Sequence, residues 1–201
     1  MNALTKQYIA LIAVILFLSL LAFSHPPEEV PGETMARMMK LGEELATPNK
    51  HHAFLNQMSG DWTTTSSVMG MPPSTGTASY TMILGNRYLD GMHDGDYMGV
   101  SFVGRLTIGY DNYKHKFIAS FIDNLGTSMR VAEGMLDKSG TALSLWGPVD
   151  DWMTDEHDKP AMYHYRIIDD NHFSFEVHDL GMNEHSKVIE VHYERVPTKQ
   201  Q

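Results

Sequence analysis

The triplet Gly60-Asp61-Trp62 decides the fold of this chain. It follows a short helix-like stretch and opens a long series of strand-like segments, which are separated by Gly, Asp, Asn and Pro, the residues typical of turns. No long helical pattern lies between the strands, so a parallel α/β sheet is not expected. About ten short antiparallel strands in one all-β domain predict a closed barrel, with Trp62 at one of its ends.

The segments that follow the triplet alternate between apolar and polar residues. The predicted strands are 62–69, 76–84, 87–93, 99–110, 116–123, 128–136, 142–147, 162–168, 172–180 and 187–196. In the last three strands the apolar face carries aromatic and aliphatic residues, whereas the polar face carries His164, His178 and His192. A sheet with one buried and one solvated face gives this pattern, so these histidines are expected outside the barrel.

Two helices are expected before the triplet. Thr47-Pro48 is typical of an N-cap followed by proline at the first helical position, which predicts a short helix over 48–58. Within Glu33–Ala46, methionines recur at helical spacing and predict a packing face. The alternative for that face is a promiscuous binding surface. Residues 25–32 are rich in Pro and Glu and predict a flexible tether.

The N-terminal segment predicts export. Met1–Gln7 carries one lysine and no acid, residues 8–23 are apolar except for Ser19, and Ala22-Phe23-Ser24 fits a cleavage site. These three parts predict a signal peptide over 1–24, and hence a periplasmic or secreted protein. The alternative is an uncleaved membrane anchor through residues 8–23, although this run is slightly shorter than the roughly 20 residues of a membrane span.

After the signal segment we expect a tether and helix over 25–46 and one barrel domain over 47–201. A domain of that length can bury a sizeable core. The sequence has no cysteine, which excludes disulfides, thiolate catalysis and cysteine-bound metals. Its formal net charge of −10 argues against nucleic acid and against a bare anionic membrane surface as partners.

Familiar catalytic motifs are absent from the sequence. It has no Gly-x-Ser-x-Gly nucleophile turn, no His-Glu-x-x-His zinc motif and no glycine-rich phosphate loop. The three outer-face histidines, with Glu176 and Glu190, are competent ligands for zinc or another transition metal, but a solvated face is the favoured interpretation. The acidic loop Asp150–Asp158 is likewise interpreted as solvated, with Trp152 as a candidate lid over the barrel mouth. We predict no metal and no cofactor, and the sequence does not favour an enzyme.

Gly60 and Trp62 resemble the Gly-x-Trp signature of the calycin group, which includes the lipocalins. In those proteins a short helix precedes the motif, and the tryptophan closes the barrel base against an arginine from the last strand. Arg195 lies near the end of the last predicted strand. The resemblance therefore implies structural closure by Gly60, Trp62 and Arg195, in which a guanidinium over an indole gains about 0.5–2 kcal/mol.

A closer resemblance covers roughly His51 to Val196, and on it the chain is identified as a member of the bacterial domain-of-unknown-function 1579 family. The residues that carry it are His51 and Leu55 ahead of the triplet, Asn86-Arg87-Tyr88-Leu89, Phe102-x-Gly104, Ile108-Gly109-Tyr110-Asp111-Asn112-Tyr113, Phe121-Ile122-Asp123-Asn124-Leu125-Gly126-Thr127 and Glu133-Gly134. The family often has tryptophan where this chain has Phe121. The resemblance implies a lipocalin-like barrel and no established activity.

The barrel size and the aromatic inner face predict a cavity that binds a small, largely apolar ligand. Arg87, Tyr110 and Asp123 are the candidate polar contacts. Parity along the strands points Tyr110 and Asp123 inward, and we expect them at the same rim. For Asp123 the favoured interpretation is that it caps the turn over 124–126, with the ligand contact as the alternative.

Three alternative functions belong to other classes. A haem or other cofactor barrel requires an inward histidine, and His93 or His115 would qualify only if the strand register were shifted by one residue. An enzyme could use a Tyr/Asp pair at the cavity mouth. A structural envelope protein would need neither an inward histidine nor a Tyr/Asp pair, and would use the tether to reach a partner.

Overall fold

The computed structural model describes residues 31–97, 99–182 and 186–197, so the predicted signal segment 1–24 lies outside the described residues. The chain divides into two units, residues 1–44 and 45–201. Helix α1 spans Pro31–Ala46 and helix α2 spans Lys50–Asn56. The strands are β1 (Gly60–Val68), β2 (Ser74–Ile83), β3 (Tyr88–Tyr97), β4 (Val100–Asp111), β5 (Lys116–Asp123), β6 (Arg130–Leu136), β7 (Ala142–Asp151), β8 (Glu156–Asp169), β9 (His172–Asp179) and β10 (Lys187–Arg195).

Within the described residues, these ten strands form one closed antiparallel barrel. Each strand pairs with its neighbours in sequence, and β1 pairs with β10, where Trp62 lies opposite Arg195. Closure removes the edge strands whose unpaired N–H and C=O groups would otherwise attract other chains. The predicted all-β closed barrel is therefore confirmed.

Consecutive hairpins of an antiparallel barrel lie alternately at its two ends. We call the end that holds α2 and the first residues of β1 the closed end. The open end carries the hairpins β1–β2, β3–β4, β5–β6, β7–β8 and β9–β10. Fully buried large side chains concentrate near the closed end, among them Trp62, Phe117 and Phe173. Side chains of α2, including Phe54 and Leu55, complete this core.

Three strands extend four or more residues beyond their predicted ends. β3 continues to Tyr97, β7 continues to Asp151 and β8 begins at Glu156. The extra residues include Pro148, which suggested a turn because proline cannot donate to a sheet ladder. Pro148 lies opposite Pro160 in the β7–β8 register. Because the two prolines lie opposite each other, neither strand has a backbone N–H at this position. Neither strand therefore has a donor there that needs a carbonyl oxygen of the partner strand.

Helix α2 begins later than predicted, because Asn49 and not Thr47 is its N-cap. The Asn49 side chain accepts a hydrogen bond from the His51 backbone N–H at 2.9 Å. In return, Nδ1 of His52 accepts the backbone N–H of Asn49 at 3.0 Å. His52 therefore takes the position that Glu or Gln usually occupies in a capping box. A sequence pattern that requires Glu or Gln there does not identify this helix start.

Helix α1 forms where the methionine spacing predicted a helix, but none of its residues is buried, so its predicted packing role is not confirmed. Met35, Met38 and Met39 are all exposed. In the part of the chain that the structure describes, no helix combines the length and the apolar character needed to cross a membrane.

Candidate ligand-binding site

Trp62 fills the closed end of the barrel. Its side chain is 1% exposed, and its Nε1–H donates a hydrogen bond to the carbonyl oxygen of Met58 at 2.9 Å. The indole also contacts the Phe173 ring edge to face, with the centroids 4.7 Å apart. The indole N–H thus has a hydrogen-bond acceptor in the segment just before β1, and the apolar part of the ring packs inside the barrel.

Arg195 covers Trp62 from outside. Its guanidinium carbon lies 4.0 Å from the indole centroid, and its three nitrogens donate to the carbonyl oxygens of Gln57, Ser59 and Asp170 at 2.7–2.9 Å. Gly60 has a φ of +126° and lies directly beneath Nη1 of Arg195, where a Cβ atom would collide with it. Only glycine satisfies both conditions, so these three residues form a plug with no room for a ligand.

Arg87 and Tyr110 also lie at the closed end. The Nε–H of Arg87 donates to the carbonyl oxygen of Ala46 at 2.8 Å. The ring of Tyr110 stacks on His51 of α2, with the centroids 4.0 Å apart and the planes inclined by 16°. Arg87 therefore binds the segment that leads into α2, and Tyr110 packs against α2 itself.

Asp123 lies at the open end. Its Oδ1 accepts the backbone N–H of Leu125 at 2.9 Å, and its Oδ2 accepts Nη1–H of Arg130 at 2.8 Å. The carboxylate thus caps the turn, as the favoured interpretation expected, and also forms an ion pair with Arg130. Its side chain is 8% exposed, whereas that of Arg130 is 37% exposed.

The structure does not bring the three candidate contacts together. Asp123 pairs with Gly104, and Phe117 pairs with Tyr110. Six residues of β4 therefore separate Tyr110 from the level of Asp123, a distance of about 20 Å along an extended strand. The expectation that they share one rim is wrong, and the Tyr/Asp pair of the enzyme alternative does not form. Parity predicts which face a side chain occupies but not which end of the barrel.

The inner wall changes character from the closed end to the open end. Near Trp62 the inward side chains are fully buried. Farther along, several inward side chains keep intermediate exposure, namely Thr64, Ser66, His93, Phe102, Phe121, Val149, Phe175 and Val191. On β8 and β9, by contrast, Ala161 and Val177 stay buried toward the open end. An inward side chain of a closed barrel keeps accessible surface where solvent reaches it, at the open mouth or in an unfilled interior. We call the part of the open half that these partly exposed side chains line the cup; most of its walls are aromatic and aliphatic.

His93 lies in the wall of this cup. Its Nε2 is 3.1 Å from the hydroxyl oxygen of Tyr80, and the Tyr80 hydroxyl donates in turn to that of Tyr193 at 3.5 Å. Burial away from water lowers the pKa of His93 from 6.5 to about 4, because the charged imidazolium is poorly solvated there. His93 is therefore a neutral hydrogen-bonding group inside an aromatic environment.

The sequence interpretation placed His93 inside only if the register shifted, and this was wrong. His93 shares its parity with Leu89, which is fully buried, and β3 continues beyond the predicted end at His93. The signal available in the sequence was this shared parity. Both residues lie within the predicted strand 87–93, so the signal was present in the sequence.

Glycines make room for the aromatic wall. Gly104 lies opposite His93 in the β3–β4 register. A Cβ at Gly104 would lie 2.6 Å from Cζ of Phe121 and 2.9 Å from Cζ of Phe102. The two rings stack over the bare backbone with centroids 6.3 Å apart. Larger residues at this position would force the rings out of the wall.

A second group of charges lies at the rim. Nζ of Lys159 is 2.7 Å from Asp179, 3.2 Å from Glu156 and 3.6 Å from Asp151. The hydrogen bond from Lys159 lowers the pKa of Asp179, so these charges are already paired. Trp152, the candidate lid, is 86% exposed and does not cover the cup.

The outer-face histidines make local contacts. Nδ1 of His164 is 2.9 Å from the Ser144 hydroxyl, and Nε2 of His178 is 2.8 Å from Glu176. Nε2 of His192 is 3.5 Å from Glu190. Among the described residues, no three His, Asp or Glu side chains converge in a group that could hold a metal ion.

The family model described as "Protein of unknown function (DUF1579)" matches residues 47–195. The chain belongs to this family. No functionally curated protein matches it in sequence. Among solved structures, Rv2717c from M. tuberculosis is similar at 10% identity and a TM-score of 0.51, over 75% of this chain and 100% of that one. A redesigned β-barrel, b11L5F_LGL, is 11% identical with a TM-score of 0.37, over 71% of this chain and 95% of that one.

In this member of the DUF1579 family, much of the motif is architectural. Nδ2 of Asn112 donates to the carbonyl oxygens of Leu45 and Thr47 at 2.8 and 2.9 Å, and its Oδ1 accepts Nδ2–H of Asn49 at 2.7 Å. Asn112 therefore holds the segment that leads into α2, close to where Arg87 binds it. Arg87 and Asn112 therefore belong to the closure of the barrel, whereas Phe102 and Phe121 of the same motif line the cup.

Proposed function

We propose that this protein binds a small, largely apolar ligand in the open half of the barrel. The observation that carries the proposal is the partial exposure of inward aromatic rings in that half, those of Phe102, Phe121 and Phe175, in contrast to the fully buried rings at the closed end. Concave sites lined by aromatic and aliphatic side chains with a few polar groups are typical of small-molecule binding.

The charges at the rim support an uncharged ligand. The Asp123 carboxylate already accepts two hydrogen bonds, one of them from Arg130. Lys159 is likewise engaged by acidic partners. Because these charged groups already form ion pairs with each other, a charged ligand would have to break one of those pairs to form its own. An apolar ligand instead gains free energy by the transfer of its surface out of water.

Export is part of the same proposal and is supported by the sequence of residues 1–24 alone. A ligand carrier in the periplasm or outside the cell would meet apolar compounds that do not dissolve freely. If the segment through residues 8–23 stays uncleaved, the same barrel would be tethered at the membrane surface.

The proposal is tested by filling the cup. We expect Val191→Trp to abolish binding of the neutral fluorescent probe N-phenyl-1-naphthylamine, because the indole would occupy the space beside Phe175, the residue opposite Val191 on β9. The control is His192→Trp, which places the same side chain one residue along the strand on the outer face, where His192 is 58% exposed. Fluorescence titration measures both, and circular dichroism checks that both variants fold.

Equal probe binding by the two variants would contradict a cup-bound ligand. If Val191→Trp folds poorly, Val149→Trp fills the cup from strand β7 and replaces it in the comparison. Native mass spectrometry and solvent extraction of the purified wild-type protein then identify what co-purifies.

A haem-binding barrel is the second candidate function, and the inward position of His93 is the observation that favours it. Against it, the His93 ring is surrounded by Tyr80, Phe121 and Tyr193, with ring centroids 5.4, 5.9 and 6.3 Å away. A flat macrocycle bound to His93 would have to find room among these three closely packed rings. We therefore expect that titration with haemin gives the same Soret band in the wild type and in His93→Phe. A His93-dependent Soret shift would make this function the preferred one.

A further inference from the structure

We propose that the ligand of the cup carries a hydroxyl or N–H donor, and that Nδ1 of His93 accepts a hydrogen bond from it. This inference rests on the proposed function and names the chemical class of its ligand: a neutral, largely apolar alcohol, phenol or secondary amine.

The hydrogen bonds around Tyr80 determine where the proton of His93 lies. Tyr80 has one hydroxyl proton, and it donates this proton to the hydroxyl oxygen of Tyr193 at 3.5 Å. The contact of 3.1 Å between the Tyr80 oxygen and His93 is then satisfied only if Nε2–H of the imidazole donates to it. A neutral imidazole carries one ring proton, so Nδ1 is left as an acceptor.

Nδ1 of His93 has no partner among the described residues. In that part of the chain, the side-chain polar atom that is both fully buried and without a partner is Nδ1 of His51, at the closed end. Nδ1 of His93 has no partner either, but it is not fully buried. His93 is only half-buried, and its unpaired nitrogen is thus reachable from the cup. An acceptor that faces an otherwise aromatic wall gains most from a ligand that brings one donor to it.

The surroundings of His93 favour a neutral ligand group. The rings packed around it belong to Tyr80 on β2, Phe121 on β5 and Tyr193 on β10. Burial is the cause of its lowered pKa, with no charged neighbour contributing. The imidazole therefore stays neutral at pH 7 and keeps its lone pair available.

The inference is tested with three probes that share one apolar body. These are 2-naphthol, which donates a hydrogen bond, 2-methoxynaphthalene, which only accepts one, and 2-methylnaphthalene, which does neither. We expect His93→Phe to weaken binding of 2-naphthol about tenfold, the value of one hydrogen bond of about 1.4 kcal/mol, and to change binding of the other two less than about twofold. The control is the outer-face variant His192→Phe, which should bind all three as the wild type does. Equilibrium dialysis measures the dissociation constants.

Equal losses for all three probes in His93→Phe would overturn the inference but leave the cup proposal standing. A selective loss for 2-methoxynaphthalene would overturn it as well, because it would mean that His93 donates. If folded wild-type protein binds none of the three, both the inference and the proposed function fail.

A second measurement needs no variant. Long-range ¹H–¹⁵N NMR at pH 7 should show His93 as the Nε2–H tautomer, with the Nδ1 resonance moving on addition of 2-naphthol and not of 2-methylnaphthalene. A protonated Nδ1, or a resonance indifferent to 2-naphthol, would overturn the inference.

Discussion

Trp62→Ala should lower the free energy of unfolding by about 3–5 kcal/mol, the usual cost of removing a fully buried aromatic side chain. The change removes the edge-to-face contact with Phe173 and the hydrogen bond to Met58. It also leaves the Arg195 guanidinium without the indole face that it covers. For a domain of this size the melting temperature should fall by about 10 °C. Thermal unfolding followed by circular dichroism measures it.

The matched control for this variant is Trp152→Ala. Trp152 is 86% exposed, and its replacement should change the free energy of unfolding by less than about 0.5 kcal/mol. If both variants melt together with the wild type, Trp62 does not close the barrel in the way described. A large loss in Trp152→Ala would show instead that the β7–β8 hairpin tip has a structural role.

The strand pattern was predictable because it is local. Alternation over a few residues, bounded by turn residues, is enough to identify a strand and its buried face. It failed where Gly and Pro continue a strand, as at Pro148 opposite Pro160. Whether proline interrupts a strand depends on what its partner strand presents there, and one strand's sequence does not contain that information.

The candidate site was predictable only in part, because a site depends on depth along the barrel as well as on face. Tyr110 and Asp123 point inward by parity, but the β4–β5 register puts them near opposite ends. The hydrogen bonds of His93 depend on Tyr80 and Tyr193, which lie on two other strands. Which side chains from different strands meet depends on the strand order and the register of the closed barrel, and the pattern within one strand does not determine either.

His93 should make the barrel unstable in mild acid. Its pKa is about 4 in the folded protein, whereas that of an unfolded histidine is about 6.5. Between these values the unfolded chain binds a proton that the folded chain does not, so stability falls as the pH falls through this window. Above pH 6.5 neither state binds the proton, and below pH 4 both do. The full loss across the window is about 3 kcal/mol, from about 2.5 units at 1.36 kcal/mol each.

The variant His93→Phe isolates this effect. Urea unfolding at pH 7.0 and pH 4.5 should show wild-type stability falling by about 2.5 kcal/mol more than that of His93→Phe. Burial also lowers the pKa of His51, His52 and His164, but these groups remain in both proteins and cancel in the comparison. Parallel pH dependences of wild type and His93→Phe would mean that the imidazole is solvated and does not lie in the aromatic wall.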